Sequence, residues 1–334
     1  MRAGTLSING REIQIKEVDA KAHKLVFLGD KYPLRAGLNY LERRMDGAKS
    51  AAIFWSENKK LQAFQIPYRK SYAIIAAIDD YDRHEKPEMD PTGYRPLSKM
   101  VDRAKDLVVA LKQSGFPEEN IFTFYDKDAT SDALETELKK FWEGGRYATP
   151  DRLIFYFGGH GDRSETSGAG YLVTYNFEKQ KPTITALLMN DLTGRQFENI
   201  TARHMLVLLD ACSAGLALPT FQGREEDEEQ LKKFQALSIV RRDTEQKARN
   251  VLVAGTGEQK ALWENGGVFT QALIEGLQGA ADLDQNGVIQ FDELAVFVRN
   301  RVTTRAAQTG VRQDPHGFQA TRYGTGNTLF LVPR

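Results

Sequence analysis

Two stretches decide the fold: Arg152–Gly161 (RLIFYFGGHG) and His204–Gly215 (HMLVLLDACSAG). Each begins as a continuous apolar run, which is how a strand covered on both faces reads. Each then breaks abruptly into small residues around one reactive side chain, His160 in the first and Cys212 in the second. In open parallel sheets, sites form in the crevice at the carboxyl ends of the strands. Two neighbouring strands of this kind would therefore bring an imidazole and a thiol together. The chemistry has use for that pair. A free thiol has a pKa of about 8.5 and is mostly protonated at neutral pH. A nearby imidazole can take its proton and later return it to a leaving amine. The glycines let the backbone approach a substrate and aim N–H groups at an oxyanion, with the N–H groups of Gly161 and Cys212 as the candidates.

Working outward, strands and helices alternate. Tyr72–Ile78 (YAIIAAI), Asn120–Tyr125, Asn250–Ala254 and Asn327–Val332 read as further strands. Leu97–Lys112, Asp132–Trp142, Thr185–Phe197, Val268–Leu277 and Phe291–Val302 read as helices, the second with Thr130 or Ser131 as N-cap. Such alternation implies crossover connections and a mainly parallel α/β sheet of about six strands between helices. Residues 1–68 differ: short runs at Thr5–Ile8, Glu12–Ile15, Lys24–Leu28 and Ala51–Trp55, with a hairpin signal at Asn9-Gly10, predict a small β-rich module. The main domain would then run over 69–334. Two stretches interrupt it. Gln222–Arg249 is densely charged and reads as a mobile loop or a solvated helix, and Arg305–Thr325 is polar and Gly-rich and reads as a loop.

Composition narrows the function. The chain has 334 residues, with 45 Lys+Arg against 45 Asp+Glu, so no basic excess points to nucleic acid. No apolar run reaches the roughly 20 residues of a membrane helix, and Met1–Gly10 lacks a signal-peptide core. Cys212 is the only cysteine, which excludes an internal disulfide and favours a reducing, cytoplasmic setting. No organic cofactor is implied. The other notable motif is Asp282–Glu293 (DLDQNGVIQFDE), a twelve-residue match to a calcium-binding EF-hand loop. Its expected ligands are Asp282, Asp284, Asn286, the Val288 carbonyl and Glu293, with Gln290 at the ninth position and Gly287 at the sharp turn. The loop appears single, whereas EF-hands usually pair.

The GGHG of Gly158–Gly161 and the DACSAG of Asp210–Gly215 resemble the His-Gly and Asp-x-Cys-x-x-Gly motifs of caspase-type peptidases, in particular metacaspases and bacterial caspase homologues. The His-to-Cys spacing of 52 residues is close to the roughly 50 of that family. The resemblance extends from about Arg69 to Val332 and includes Gly266–Leu277 (GGVFTQALIEGL). It implies a caspase-like fold, a protein or peptide substrate, Cys212 as nucleophile and His160 as acid/base. It also raises specificity. Asp210, two residues before the cysteine, is as in metacaspases, which cut after Arg or Lys. Asp102 resembles the aspartate of the family's Asn-Asp-Ala segment, with Val101 in place of the Asn. Together the two carboxylates would suit a basic P1 residue. Arg95 resembles a caspase pocket arginine and keeps cleavage after Asp open. Where the family often has a processing linker, this chain offers Arg224, Lys232, Lys233, Arg241, Arg242, Lys247 and Arg249 for self-cleavage. A non-catalytic, cation-sensing interaction module on the same fold is the remaining alternative, as is a role for a regulatory domain or partner protein.

Overall fold

The computed structural model describes the strands before Tyr68 by their backbone, and residues 68–333 with side chains except 69, 82–93, 148, 218–242, 256–260, 265 and 285–286. The first seven strands are β1 (Thr5–Ile8), β2 (Arg11–Glu12), β3 (Ile15–Asp19), β4 (Lys24–Phe27), β5 (Gly37–Met45), β6 (Ala48–Glu57) and β7 (Lys60–Phe64). They pair as a five-stranded sheet, β2-β1-β5-β6-β7, and a separate β3-β4 ribbon. Ile8 of β1 lies opposite Arg11 of β2 in an antiparallel pair, and the turn expected at Asn9-Gly10 lies outside the described residues. The nine-residue β5, with its Asn, Glu and Arg residues, carries no apolar alternation that the sequence reading could use.

The central sheet is built from β8 (Ser71–Ala77), β9 (Ile121–Tyr125), β10 (Arg152–Gly158), β14 (His204–Asp210), β15 (Ala248–Val253) and β17 (His316–Gln319), in the order β17-β15-β14-β10-β8-β9. Five strands are parallel, and β17 is antiparallel at the edge. The longer helices are α1 (Met100–Gln113), α2 (Ser131–Lys139), α3 (Val268–Glu275) and α4 (Phe291–Gln308). Strand periodicity divides the core. Leu153, Phe155 and Phe157 of β10 pack with Leu134 and Leu138 of α2. The intervening Ile154 and Tyr156 pack with Met100, Ala104 and Leu107 of α1, Leu273 of α3 and Val298 of α4. Both faces are therefore covered, which is why these strands read as unbroken apolar runs. Thr130 caps α2, its side-chain oxygen accepting the N–H of Ala133 at 3.3 Å.

Four expectations need correction. The polar stretch Arg305–Thr325 contains the last turn of α4 and the sixth strand β17, because an antiparallel edge strand needs no apolar run. The terminal strand, expected at Asn327–Val332, is β18 (Leu329–Leu331) and pairs with β16 (Val288–Gln290) outside the central sheet. Thr185–Phe197 is not one helix. Leu187–Leu188 forms β13, which with β11 (Gly161–Arg163) and β12 (Gly170–Leu172) makes a small sheet, and a helical run with a π-turn follows from Met189 to Asn199. Finally, the charged loop ends before Arg249. Ala248 and Arg249 open β15, and Arg249 is completely buried. Its guanidinium donates to the carbonyls of Phe197, Ile200, Ala202, Arg203 and Ala248 at 2.7–3.3 Å. No peptidase reaches Arg249 in the folded protein. Arg224, Lys232, Lys233, Arg241 and Arg242 lie outside the described residues.

Among the described residues, no helix is long and apolar enough to cross a membrane.

Candidate active site

Strand register brings the two reactive residues together. β10 and β14 are parallel neighbours, with Gly158 level with Asp210. His160 and Cys212 each follow two residues later, on strands about 4.8 Å apart. The ladder continues past the strand ends, the Gly159 N–H donating to the Asp210 carbonyl at 3.1 Å. Both residues are half-buried. Ser213, directly after the cysteine, holds a left-handed backbone at φ 54°. Such strain in a non-glycine residue persists only where the surroundings impose it. Gly161 is where the backbones come closest. A Cβ there would lie 2.2 Å from the carbonyl oxygen of Cys212, so only glycine allows this approach.

The imidazole is oriented by the connection between β8 and α1, in which sequence reading found no role beyond Arg95. His160 Nε2 donates to the carbonyl of Arg95 at 2.8 Å. A carbonyl only accepts, so this contact puts the proton on Nε2 and leaves Nδ1 of the neutral ring as the basic nitrogen. Arg95 thus acts through its backbone, and its side chain is exposed. Burial pushes the His160 pKa down, opposed by the Arg95 carbonyl and by the charge of Asp162.

The two specificity carboxylates sit differently. Asp210 is wholly buried at the end of β14. Its Oδ2 accepts from the N–H (3.2 Å) and hydroxyl (2.6 Å) of Thr270 on α3. Because that hydroxyl donates to Asp210, it accepts from Tyr156 at 2.7 Å. Asp210 Oδ1 is buried with no hydrogen-bond partner among the described residues. Burial pushes the carboxyl up to about 6 despite the two Thr270 contacts. Asp102, by contrast, is on the outer face of α1, its side chain 71% exposed and 3.9 Å from Lys105. No described contact joins it to Asp210. Another acid, Asp79, unnoticed in the sequence, accepts the N–H groups of Met100 (2.7 Å) and Val101 (3.3 Å) and so caps α1.

With this geometry in view, the comparison with known families is direct. A family model described as the caspase domain matches residues 70–322. The chain belongs to the caspase family. It is therefore a cysteine peptidase, acting on proteins or peptides, and the reading as a non-catalytic module falls away. No curated protein matches the chain significantly. The six-stranded, mostly parallel sheet between helices is the caspase-like fold.

Remote from the strand ends, the caspase domain carries the EF-hand-like loop between α3 and α4. The carboxylates of Asp282, Asp284 and Glu293 offer ligand atoms all within 4.8 Å of one another. Gly287 makes the turn at φ 86°, its N–H donating to Asp282 Oδ2 at 2.9 Å. Glu293 is 1% exposed, and its oxygens accept the N–H groups of Leu283, Asp284 and Gln290 at 3.0–3.4 Å. Burial and the neighbouring aspartates push its carboxyl up to about 8, against those N–H groups. Val288 is buried in β16, and Asn286 lies outside the described residues. The missing second EF-hand has a substitute: β18 pairs with the loop's own strand, placing Ile289 opposite Phe330.

Proposed function

We propose that the caspase domain hydrolyses peptide bonds after Arg or Lys through a Cys212–His160 dyad. The observation that supports it most is the level register of Gly158 with Asp210, which sets the two residues side by side. In the first step the Cys212 thiol gives its proton to His160 Nδ1 and its sulfur attacks the scissile carbonyl carbon. The N–H groups of Gly161 and Cys212 receive the oxyanion. The tetrahedral intermediate collapses as His160 protonates the leaving amine, breaking the C–N bond and leaving a thioester. Water then attacks the thioester, giving a proton to His160, and the acid leaves with the thiol restored.

Basic specificity is assigned to Asp210, whose unpartnered buried oxygen is what a guanidinium or ammonium group would satisfy. Asp102 contributes only a long-range charge from the helix surface. A second reading, cleavage after Asp, rests on Arg95, whose backbone lies against His160 and whose exposed guanidinium is available to an acidic P1 side chain. Fluorogenic peptides ending in Arg, Lys and Asp, with Cys212→Ala and His160→Ala as controls, decide between them. Release from Arg and Lys peptides, lost in both variants, supports the proposal. Release from the Asp peptide alone overturns the pocket, and activity in Cys212→Ala overturns the nucleophile.

Two regulatory features belong to the same proposal. The Asp282, Asp284 and Glu293 carboxylates lie close enough together to share a hard oxygen-liganded cation such as calcium, which would offset the charge of buried Glu293, and the sequence pattern adds the Val288 carbonyl and Asn286 as further ligands. Calcium should raise the melting temperature of the wild type and leave that of Glu293→Gln unchanged. Equal shifts would remove the loop as the site. Self-processing would fall among the basic residues from Arg224 to Arg242. Intact masses of active wild type and Cys212→Ala that differ only by the substitution itself would exclude it.

A further inference from the structure

The β8–α1 connection supplies more than the Arg95 carbonyl. Its two ends are tied together, the Leu97 N–H donating to the Asp79 carbonyl at 2.8 Å. That closure brings Tyr81 and Tyr94 to the same place, and both rings meet the imidazole. The Tyr81 ring lies 4.7 Å from it at 57°, and the Tyr94 ring 5.1 Å from it at 32°. Tyr81 is 1% exposed, and its hydroxyl accepts the backbone N–H of His160 at 2.8 Å while donating to the Val173 carbonyl at 3.2 Å. Val173 completes the circuit, its N–H donating to the His160 carbonyl at 2.9 Å. Tyr94 is held from the other side. Its hydroxyl bonds the carboxylate of Asp162, and its ring packs edge-on against Phe177.

We propose that Tyr81 and Tyr94 form an aromatic clamp that positions His160, with Asp162 locking Tyr94 in place. The proposal rests on the reading of His160 as the base. The backbone N–H, the carbonyl, Nε2 and the flanking rings of His160 are then all accounted for, and Nδ1 is the atom left for chemistry. Two effects follow. The ring is confined to one orientation, which matters because a misplacement of about 1 Å can cost on the order of a hundredfold in rate. The aromatic faces also favour the imidazolium electrostatically, offsetting the effect of its burial. Among the described residues, the titratable and charged groups around the ring are Asp162 on its own hairpin, Tyr81, Tyr94 and Arg95 from the β8–α1 connection, and Cys212 from the loop after β14. Asp79 and Asp126 lie beyond Tyr81 and reach it electrostatically.

The test uses the full chain with Tyr81→Phe, Tyr94→Phe and Tyr94→Leu. Each is followed by its melting temperature, by kcat and KM over pH 5–9, and by the pH dependence of Cys212 alkylation with iodoacetamide. Tyr81→Phe should lower kcat roughly tenfold or more with little change in KM, because the His160 backbone loses its anchor. Tyr94→Leu should lower kcat and move the alkylation profile by about half a pH unit, while Tyr94→Phe, which keeps the ring face, should not move it. Folded Tyr81→Phe and Tyr94→Leu proteins with wild-type kcat and pH profiles would overturn the clamp, as would a loss confined to KM. If Tyr81→Phe does not fold, the contrast between Tyr94→Leu and Tyr94→Phe decides alone. His160→Ala separates the two levels. Activity retained there overturns the dyad and the clamp together. Activity lost there, with wild-type-like tyrosine variants, overturns the clamp alone.

Discussion

If Asp210 receives the basic P1 side chain, its own titration should appear in substrate preference. The perturbation is pH, read through a pair of substrates. Burial holds the Asp210 carboxyl at about 6 in the unliganded protein, and kcat/KM reports groups of the free enzyme. At pH 7 about nine-tenths of the enzyme then carries the Asp210 charge, and at pH 5 about one-tenth does. Protonation of His160 also weakens catalysis as the pH falls, so a single substrate would mix the two effects. Two peptides that differ only at P1, Arg in one and its neutral isostere citrulline in the other, share every catalytic step. Their ratio of kcat/KM cancels His160 and leaves Asp210. That ratio should fall about tenfold between pH 7 and pH 5. In Asp210→Asn it should be small and independent of pH, because the charge that distinguishes the two side chains is gone. The assay is initial rates of fluorophore release at substrate concentrations below KM. A wild-type ratio that stays constant from pH 7 to pH 5 would refute the assignment of Asp210 to the pocket.

Three further outcomes are expected. His204 is buried neutral, with Tyr68 donating to Nδ1 at 2.6 Å and Nε2 donating to the Gln246 carbonyl at 2.8 Å, and burial lowers its pKa to about 3. The unfolded chain takes up this proton below about pH 6.5, so stability is present above 6.5 and is lost towards 3, by about 2 kcal/mol at pH 5. Urea titrations of wild type and His204→Gln should differ in pH slope by that amount, and parallel slopes would contradict it. Replacing Arg249 with Met leaves the buried carbonyls of Phe197, Ile200 and Ala202 without their donor and should cost about 3–5 kcal/mol in urea unfolding, with a loss under 1 kcal/mol counting against the buried network. Gly161→Ala should lower kcat/KM by about a hundredfold or more, because the new methyl displaces the Cys212 backbone. Wild-type kinetics in that variant would show that the approach of the two loops is not needed.

The reach of the sequence follows from the range of the forces behind each feature. Strands β8, β10, β14 and β15 are covered on both faces, so burial wrote itself into the chain as apolar runs. His160 and Cys212 were legible because each immediately follows such a run, and the EF-hand-like loop because its candidate ligands fall at fixed spacings within one short stretch of chain. A local signal also fixed the Thr130 cap. Tertiary structure alone decided the rest. An edge strand such as β17 draws on backbone pairing and needs no apolar pattern, so it was hidden in a polar stretch. Asp102 and Asp210 look equivalent as letters, yet only packing against Thr270 buries the second while the helix leaves the first in solvent. Arg249 reads as one more charge in a charged segment, but five carbonyls from chain neighbours and from residues 197–203 enclose it. Tyr81, Tyr94 and the Arg95 carbonyl reach His160 from at least 65 residues away, through ring contacts and a backbone atom that no motif records. The sequence by itself determined which residues could do chemistry and which strands carry them. Register and packing decided which of those residues meet, because contacts between distant segments depend on how the strands align and not on spacing along the chain.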